Sequence, residues 1–168
     1  MHKFREIPIE TMNFNPFTKI GGEWMLLTAG DEKKYNTMTA SWGGVGIMWN
    51  KNVVFTFFRP QRYTLEFVEH SEFFTVSFFD PDYKEALTFC GSHSGRDVDK
   101  AKETGLTPCF THGTTTFQEA RLVFICRKLS GQFLDPSSFI DPTIEGNYSE
   151  QDYHKMFIGE VVTVLEKE

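Results

Sequence analysis

The run NVVFTFF, residues 52–58, indicates the fold, because it combines phenylalanine with β-branched valine and threonine. A second run of this kind, EFFTVSFF, occupies residues 72–79. Aromatic and β-branched side chains suit the half-buried surface of a β-sheet. The 18 phenylalanines and the aromatic share of 15% extend this preference over the 168-residue chain. Further strands are predicted over residues 23–30, 35–49, 120–129 and 154–168.

Short helices are expected between some of these strands. The sequence DPDYKEALTFCG places Asp80 at an N-cap, Pro81 at the first helical position and Gly91 at the helix end. Two further helices are predicted to begin at Pro60 and at Asp97. Six strands and a few short helices, without regular strand–helix alternation, predict a mainly β protein, an antiparallel barrel with peripheral helices. With no linker or repeat, the length predicts one domain over residues 1–168.

Charge and cysteine content limit the classes of partner. A formal net charge of -6 and a pI near 5.4 argue against binding to nucleic acid or to an anionic membrane. The three cysteines, Cys90, Cys109 and Cys126, form no CxxC pair, which argues against a disulfide framework or a structural zinc site. No apolar run resembles a secretory signal or a membrane span. We therefore expect a cytoplasmic protein.

The stretch YNTMTASWGGVGIMW, residues 35–49, combines small polar residues, glycines and two tryptophans. A flat aromatic ligand would use all of these features: main-chain N–H groups of residues 39–41 for its polar edge and Trp42 for its face. The alternative is a barrel corner, at which glycines bend the strand and tryptophan packs in the core. Gly43, Gly44 and Gly46 fit that alternative, so no binding role is assigned to them.

Two clusters combine basic and hydroxyl side chains in this acidic chain. Guanidinium groups, hydroxyls and free main-chain N–H groups together favour a phosphate. The alternative is that these are ordinary solvated cations at helix ends. The first cluster contains Arg59, Arg62 and Thr64, and the second contains Ser92, Ser94, Arg96 and Lys100.

Metal, hydrolytic and thiol chemistry are less favoured. The five histidines, His2, His70, His93, His112 and His154, show no HxH or HExxH spacing. The sequence GSHSG has histidine at the position where a nucleophile elbow requires serine. Cys90 stands near a predicted helix C-terminus, which raises the pKa of a thiol, so we expect it to be a packing residue.

Three segments in this order and spacing, NTMTASW, RPQRYT and GSHSGRDVDK, resemble the flavin reductase-like, FMN-binding split-barrel family, which includes flavoredoxin-type proteins. The later DYHKMFIGEV resembles the closing strand of that family, so the resemblance covers nearly the whole chain. It implies a six-stranded antiparallel split β-barrel that forms a homodimer, with FMN near the subunit interface.

The resemblance also implies roles for individual residues in FMN binding. Those that would line the isoalloxazine ring are Asn36, Thr37, Met38, Thr39, Ala40, Ser41 and Trp42. Those that would face the phosphate or the ribityl chain are Arg59, Arg62, Thr64, Ser94, Gly95, Arg96 and Lys100. His154 is similar in place to a histidine near the flavin.

The activity implied by the resemblance is electron transfer from NADH or NADPH through bound FMN to a small-molecule or protein acceptor. FMN supplies the redox chemistry, so no side chain is assigned a catalytic role. No GxGxxG follows a strand, so the nicotinamide donor would have to stack on the flavin from the open groove. One alternative is an FMN-binding electron-transfer protein, similar to flavoredoxin, without its own NAD(P)H activity. A split barrel that binds heme is disfavoured by the two phosphate-type clusters.

Overall fold

A computed structural model describes residues 4–168. Antiparallel strands dominate it, as predicted, although it contains ten strands and not six. The strands are β1 (Phe4–Ile7), β2 (Met25–Gly30), β3 (Tyr35–Ala40), β4 (Gly43–Met48), β5 (Lys51–Phe58), β6 (Phe73–Phe78), β7 (Pro108–Thr111), β8 (Thr114–Phe117), β9 (Leu122–Phe133) and β10 (Lys155–Lys167). The main sheet has the order β3-β2-β6-β9-β10-β5-β4, and β7 and β8 form a separate hairpin.

The long strand β10 divides the main sheet. One edge of β10 pairs with β9 over most of its length, with two register irregularities, after Ile158 and after Val161. Its other edge pairs first with β5, through residues 155–160, and then with β1, through residues 164–167. On this edge the partner of β10 changes from β5 to β1 after Glu160. The sheet therefore divides at that point.

Helices are short and occupy the connections. They are α1 (Pro16–Thr18), which continues into a π-helical turn (Lys19–Glu23), α2 (Tyr63–Glu69), α3 (Lys84–Ser92) and α4 (Lys100–Thr104). Short 3₁₀ segments span Ile9–Thr11, Pro81–Tyr83, Pro136–Ser138 and Pro142–Asn147. None of the helices among the described residues has the length and apolar character needed to cross a membrane.

Three predicted helix boundaries were wrong. Pro60 precedes a turn, and α2 begins three residues later with Arg62 at its N-cap. Asp80 is an N-cap and Pro81 the first helical position, as predicted, in a 3₁₀ turn that leads directly into α3, but the helix does not end at Gly91 and runs on to Ser92. The next helix begins after Asp99, whose side chain accepts from the main-chain N–H of Lys102. A proline or an acidic residue favours several neighbouring helix starts, so propensity alone does not choose between them.

The strand β2 is buried on both faces, which explains its continuous apolar sequence. Leu27 packs in one core cluster with Met38, Phe74 and Phe124. Leu26, on the opposite face, belongs to a second cluster that includes residues of α3 and α4. The second cluster holds α3 and α4 against the edge of the sheet at which β3 lies.

Candidate functional site

A groove of about 290 Å³ lies where β3 ends and β4 begins. Side chains from residues separated by more than a hundred positions meet there. The lining residues are Met38, Thr39, Ala40, Ser41, Trp42, Phe57, Arg59, Arg62 and His154. All of them except Phe57 were predicted as site residues. Phe57 was not predicted, although the alternation of side chains along a strand could have indicated it. Thr56 and Phe58 are buried on one face of β5, so Phe57 lies on the other face.

The strand β3 lies at an edge of the sheet, which leaves main-chain groups available on its outer side. The main-chain oxygen of Thr37 accepts from Lys100 Nζ at 2.8 Å, so this oxygen faces away from β2. Main-chain direction alternates along a strand, and the polar groups of Thr39, two residues after Thr37 in β3, therefore face the same edge. Ser41 follows the end of this strand. By the same alternation the main chain of Ala40, the residue after Thr39, faces β2.

Arg62 and Lys100 both bind the C-terminal end of α3. Arg62 donates to the main-chain oxygens of Gly91 at 2.8 Å and Cys90 at 3.3 Å. Lys100 Nζ donates to Thr37 and to Cys90, each at 2.8 Å. Burial, and then repulsion from Arg62, lower the pKa of Lys100 to about 8. Lys100 is 5% exposed, so it is not an ordinary solvated cation, which was the alternative considered for this cluster.

Arg59 connects the groove to the long connection between β9 and β10. Its guanidinium forms an ion pair of 2.9 Å with Asp152 and donates to the main-chain oxygen of Asn147 at 3.0 Å. The same group lies 5.1 Å from the centre of the Tyr148 ring. Because the Asp152 carboxylate and the Asn147 main-chain oxygen both bind Arg59, the orientation of its guanidinium at the groove is fixed.

His154 forms part of the groove wall and is 8% exposed. Its ring centre lies 5.1 Å from that of Trp42, and its Nδ1 is 2.8 Å from the Tyr148 hydroxyl. Burial, and then the Arg59 charge, lower the pKa of His154 to about 4 against the opposing effect of Asp152. His154 is therefore a neutral imidazole near pH 7.

A second cavity, of about 380 Å³, holds several other predicted residues: Asn36, Thr37, Gly95, Arg96 and Lys100. Asn36 Nδ2 donates to Thr64 Oγ1 at 2.9 Å, and both side chains are buried. A Cβ atom on Gly95 would stand 1.9 Å from Asn36 Oδ1, so only glycine fits against this pair.

The charge of Arg96 is partly neutralised. Its guanidinium pairs with the Glu66 carboxylate and lies 4.4 Å from the centre of the Tyr63 ring. Ser94 accepts from the Arg96 main-chain N–H at 3.1 Å, which closes the turn before α4. Of the basic residues in the two clusters, the structure therefore brings Arg59 and Arg62 into the groove and keeps Arg96 and Lys100 outside its lining.

The cysteines and histidines offer no competing centre among the described residues. Cys90 and Cys126 are buried free thiols, and burial raises the pKa of Cys90 to about 11. Residues 4–168 contain no group of three or more His, Cys, Asp and Glu side chains arranged to hold a metal. His2, one of the histidines considered in the sequence, lies outside the described residues.

The model of the flavin reductase like domain family matches residues 17–168. The chain belongs to this family. The matched residues include the lining of the groove, the lining of the second cavity and the helices α2 to α4. No curated protein sequence is significantly similar to the chain.

Several solved structures have a similar fold. The chain is similar to an FMN-binding protein from Thermus thermophilus with bound 1-cyclohex-2-enone, at 24% identity and a TM-score of 0.67, over 86% of this chain and 70% of that one. It is similar to an FMN-binding domain of a flavin reductases-like enzyme from Shewanella baltica OS155, at 16% identity and a TM-score of 0.71, over 98% and 78%. It is also similar to flavoredoxin from Methanosarcina acetivorans, at 21% identity and a TM-score of 0.69, over 87% and 69%. At these identities the likeness shows a shared fold, the split barrel with short helices.

Proposed function

We propose that the protein binds FMN in the groove and is an FMN-dependent NAD(P)H oxidoreductase of the flavin reductase like family. The observation that carries the proposal is the meeting of Trp42, the free edge of β3 and the two arginines Arg59 and Arg62 in one groove. An aromatic face, main-chain hydrogen bonds and fixed positive charge are the three features that an aromatic phosphorylated cofactor requires. The name of the Thermus thermophilus structure, an FMN-binding protein, adds to this support.

The chemistry of the donor set fits FMN. A guanidinium carries five N–H donors, and the bonds that Arg62 makes to Gly91 and Cys90 use two of them. The remaining donors of Arg62 and Arg59 are available for a phosphate, while their protein partners hold both groups in place. The volume of about 290 Å³ is near the lower end of ligand sites, in agreement with a groove that is open on one side.

The chain's own residues would orient and protect the cofactor. The main-chain groups of Thr39 and Ser41 would bind the polar edge of the ring, and Trp42 and His154 would limit access of water to one side. Bound FMN would supply hydride acceptance from NADH or NADPH and electron transfer to a small-molecule or protein acceptor. The open side of the groove would admit the nicotinamide, since the chain has no GxGxxG segment for a separate dinucleotide site.

The predicted residues that lie outside the groove receive supporting roles in this proposal. Asn36, Thr64 and Gly95 form one packed contact next to β3, and Lys100 binds β3 at Thr37. These contacts would hold β3 at the position that the flavin ring requires. Arg96, whose main-chain N–H binds Ser94, would attract the phosphate more weakly, because Glu66 already pairs with the Arg96 guanidinium.

We further propose that the chain forms one domain and assembles as a homodimer in a reducing compartment such as the cytoplasm. Ile47 and Trp49, on the hairpin of β4 and β5, are 71% and 54% exposed, and such apolar exposure suits a subunit contact. The reduced state of the cysteines fits a reducing compartment.

The test is the visible absorbance of the protein after incubation with FMN and removal of unbound ligand, followed by anaerobic NADPH and then NADH. We expect a retained flavin band that bleaches with one of the two donors. A retained band that neither donor bleaches supports the alternative, an electron-transfer protein without NAD(P)H activity. Absence of a retained band contradicts stable FMN binding.

A further inference from the structure

The connection between β9 and β10 holds one buried side chain over residues 135–151, that of Tyr148. Two capped turns give this connection local order: Asp135 accepts from the main-chain N–H of Ser137 and Asp141 from that of Thr143, each at 2.9 Å. The segment is otherwise polar and largely exposed. Tyr148 is therefore the buried contact of this segment with the barrel, next to the hydrogen bond from Arg59 to the Asn147 main-chain oxygen.

Tyr148 is bound to two residues of the candidate FMN groove. Its hydroxyl is 2.8 Å from Nδ1 of His154, and its ring lies 5.1 Å below the Arg59 guanidinium. The Phe139 ring stacks on the Tyr148 ring with 6.2 Å between ring centres, and the centre of the Tyr153 ring lies 5.0 Å from that of Tyr148. Tyr148 itself is 4% exposed, so this arrangement excludes bulk water from the hydroxyl.

The direction of the hydrogen bond follows from what each group needs. A buried phenol hydroxyl requires an acceptor for its proton, and within residues 4–168 Nδ1 of His154 is the one acceptor found for it, because the main-chain N–H of His154 can only donate to the phenol oxygen. Nδ1 can accept only if it carries no proton, and a neutral imidazole then carries its proton on Nε2. The charged groups that face His154 are Arg59, which disfavours an imidazolium, and Asp152, which Arg59 and Gln61 already bind.

We propose that Tyr148 is a positioning residue of the FMN groove: its hydroxyl fixes His154 as the Nε2–H tautomer, which presents a hydrogen-bond donor to the flavin. This inference rests on the proposed function for its ligand, but its structural part concerns the protein alone. The pKa of His154, lowered to about 4 by burial, supports the proposal, because the imidazole is then neutral near pH 7. The long connection thereby acquires a role, to orient one wall of the groove.

The first test uses the protein without flavin. In ¹⁵N NMR of protein labelled at histidine, we expect the His154 Nδ1 of the parent to be unprotonated and its Nε2 to be protonated. Tyr148→Phe should shift the resonances toward a mixture of the two tautomers. Tyr153→Phe is the matched control, because it removes a neighbouring phenol hydroxyl that donates to Glu145 at 2.9 Å and does not contact the His154 nitrogens. A protonated Nδ1 in the parent, or an unchanged tautomer in Tyr148→Phe, would overturn the proposal.

The second test measures FMN dissociation constants. Loss of one oriented hydrogen bond should weaken FMN binding in Tyr148→Phe by about 3- to 10-fold, with little effect in Tyr153→Phe. In a His154→Gln background the Tyr148→Phe change should have no further effect on affinity. An equal loss in both backgrounds means that Tyr148 acts by packing alone and overturns the proposal. A parent that binds no FMN contradicts the proposed function itself, and with it any role of Tyr148 toward FMN, before a variant is made.

Discussion

Arg62 and Lys100 donate to the same acceptor, the main-chain oxygen of Cys90, at 3.3 and 2.8 Å. Both cations thus lie at the C-terminal end of α3, where the helix dipole favours positive charge. Lys100 also binds Thr37 of β3, and Arg62 lines the groove. A single helix end therefore links the edge strand that would bind the flavin ring to the arginine that would bind its phosphate.

Replacement of Lys100 should destabilise the fold. Lys100→Met keeps the length of the side chain but removes two hydrogen bonds from a buried ammonium. We expect the free energy of unfolding to fall by about 1–3 kcal/mol in urea denaturation. Lys102→Met, an exposed lysine of the same helix, is the control and should change little. Equal stability of the two variants would show that the Lys100 contacts contribute nothing.

Arg62 and Arg96 should differ in their effect on phosphate binding. Arg62→Gln should weaken FMN binding by about tenfold or more while it changes riboflavin binding much less, since the lost interaction is with a charged group. Arg96→Gln should have a smaller effect, because Glu66 already pairs with Arg96. The ratio of the two flavin affinities is the measured quantity, and a general loss of stability does not alter it. A larger change of that ratio in Arg96→Gln would assign the phosphate to the second cavity.

The pKa of His154 predicts a pH dependence of stability. Burial, and then Arg59, lower this pKa from 6.5 to about 4. As the pH falls from about 6.5 to 4, the unfolded chain takes up a proton at this histidine and the folded protein does not, so the free energy of unfolding decreases. The contribution is present in full above pH 6.5 and is lost by pH 4.

The comparison of two histidine variants isolates that contribution. His154→Gln should flatten the decline in stability between pH 6.5 and pH 4, whereas His70→Gln, at an exposed position, should leave it unchanged. Urea denaturation at several pH values gives the required free energies. An identical pH profile in His154→Gln and the parent would show that His154 titrates normally in the folded protein.

The position of Gly95 should not tolerate alanine. An added Cβ atom would lie 1.9 Å from Asn36 Oδ1 and would displace the side chain that donates to Thr64. We expect a loss of about 1–3 kcal/mol in unfolding free energy, typical of overpacking a close contact. Gly146→Ala, where an added Cβ atom meets no heavy atom within 4 Å, is the matched control. Full stability of Gly95→Ala would mean that Asn36 can move without consequence.

The sequence predicted the β fold because its strong strands carry aromatic and β-branched residues that tertiary packing reinforces. It missed β4 as a separate strand, since its three glycines have no strand preference, and it missed β1, β7 and β8, which are four residues each. Short strands acquire their conformation from the partners with which they pair. The strands β4 and β5, and likewise β7 and β8, pair across short turns, whereas β1 pairs with β10 at the other end of the chain.

The sequence indicated residues that meet in the groove where the residue type states the chemistry, and their role in flavin binding stays a prediction. Trp42, Arg59 and Arg62 were predicted for aromatic and anionic contacts, and they line one groove. The burial of Lys100 could not be predicted, because a lysine in a polar turn gives no sign that two main-chain oxygens will enclose it. Tyr148 was missed for a similar reason: the residues around it are polar, and its contact with His154 arises only when the long connection folds back on the barrel.

The most direct test of the central claim, that the groove binds FMN through its phosphate, compares the dissociation constants of FMN and riboflavin for the same protein. Two charge-assisted hydrogen bonds of roughly 1.5 kcal/mol each predict that FMN binds about a hundredfold more tightly. Equal affinity for the two flavins would contradict the claim and would leave Arg59 and Arg62 with their protein partners alone.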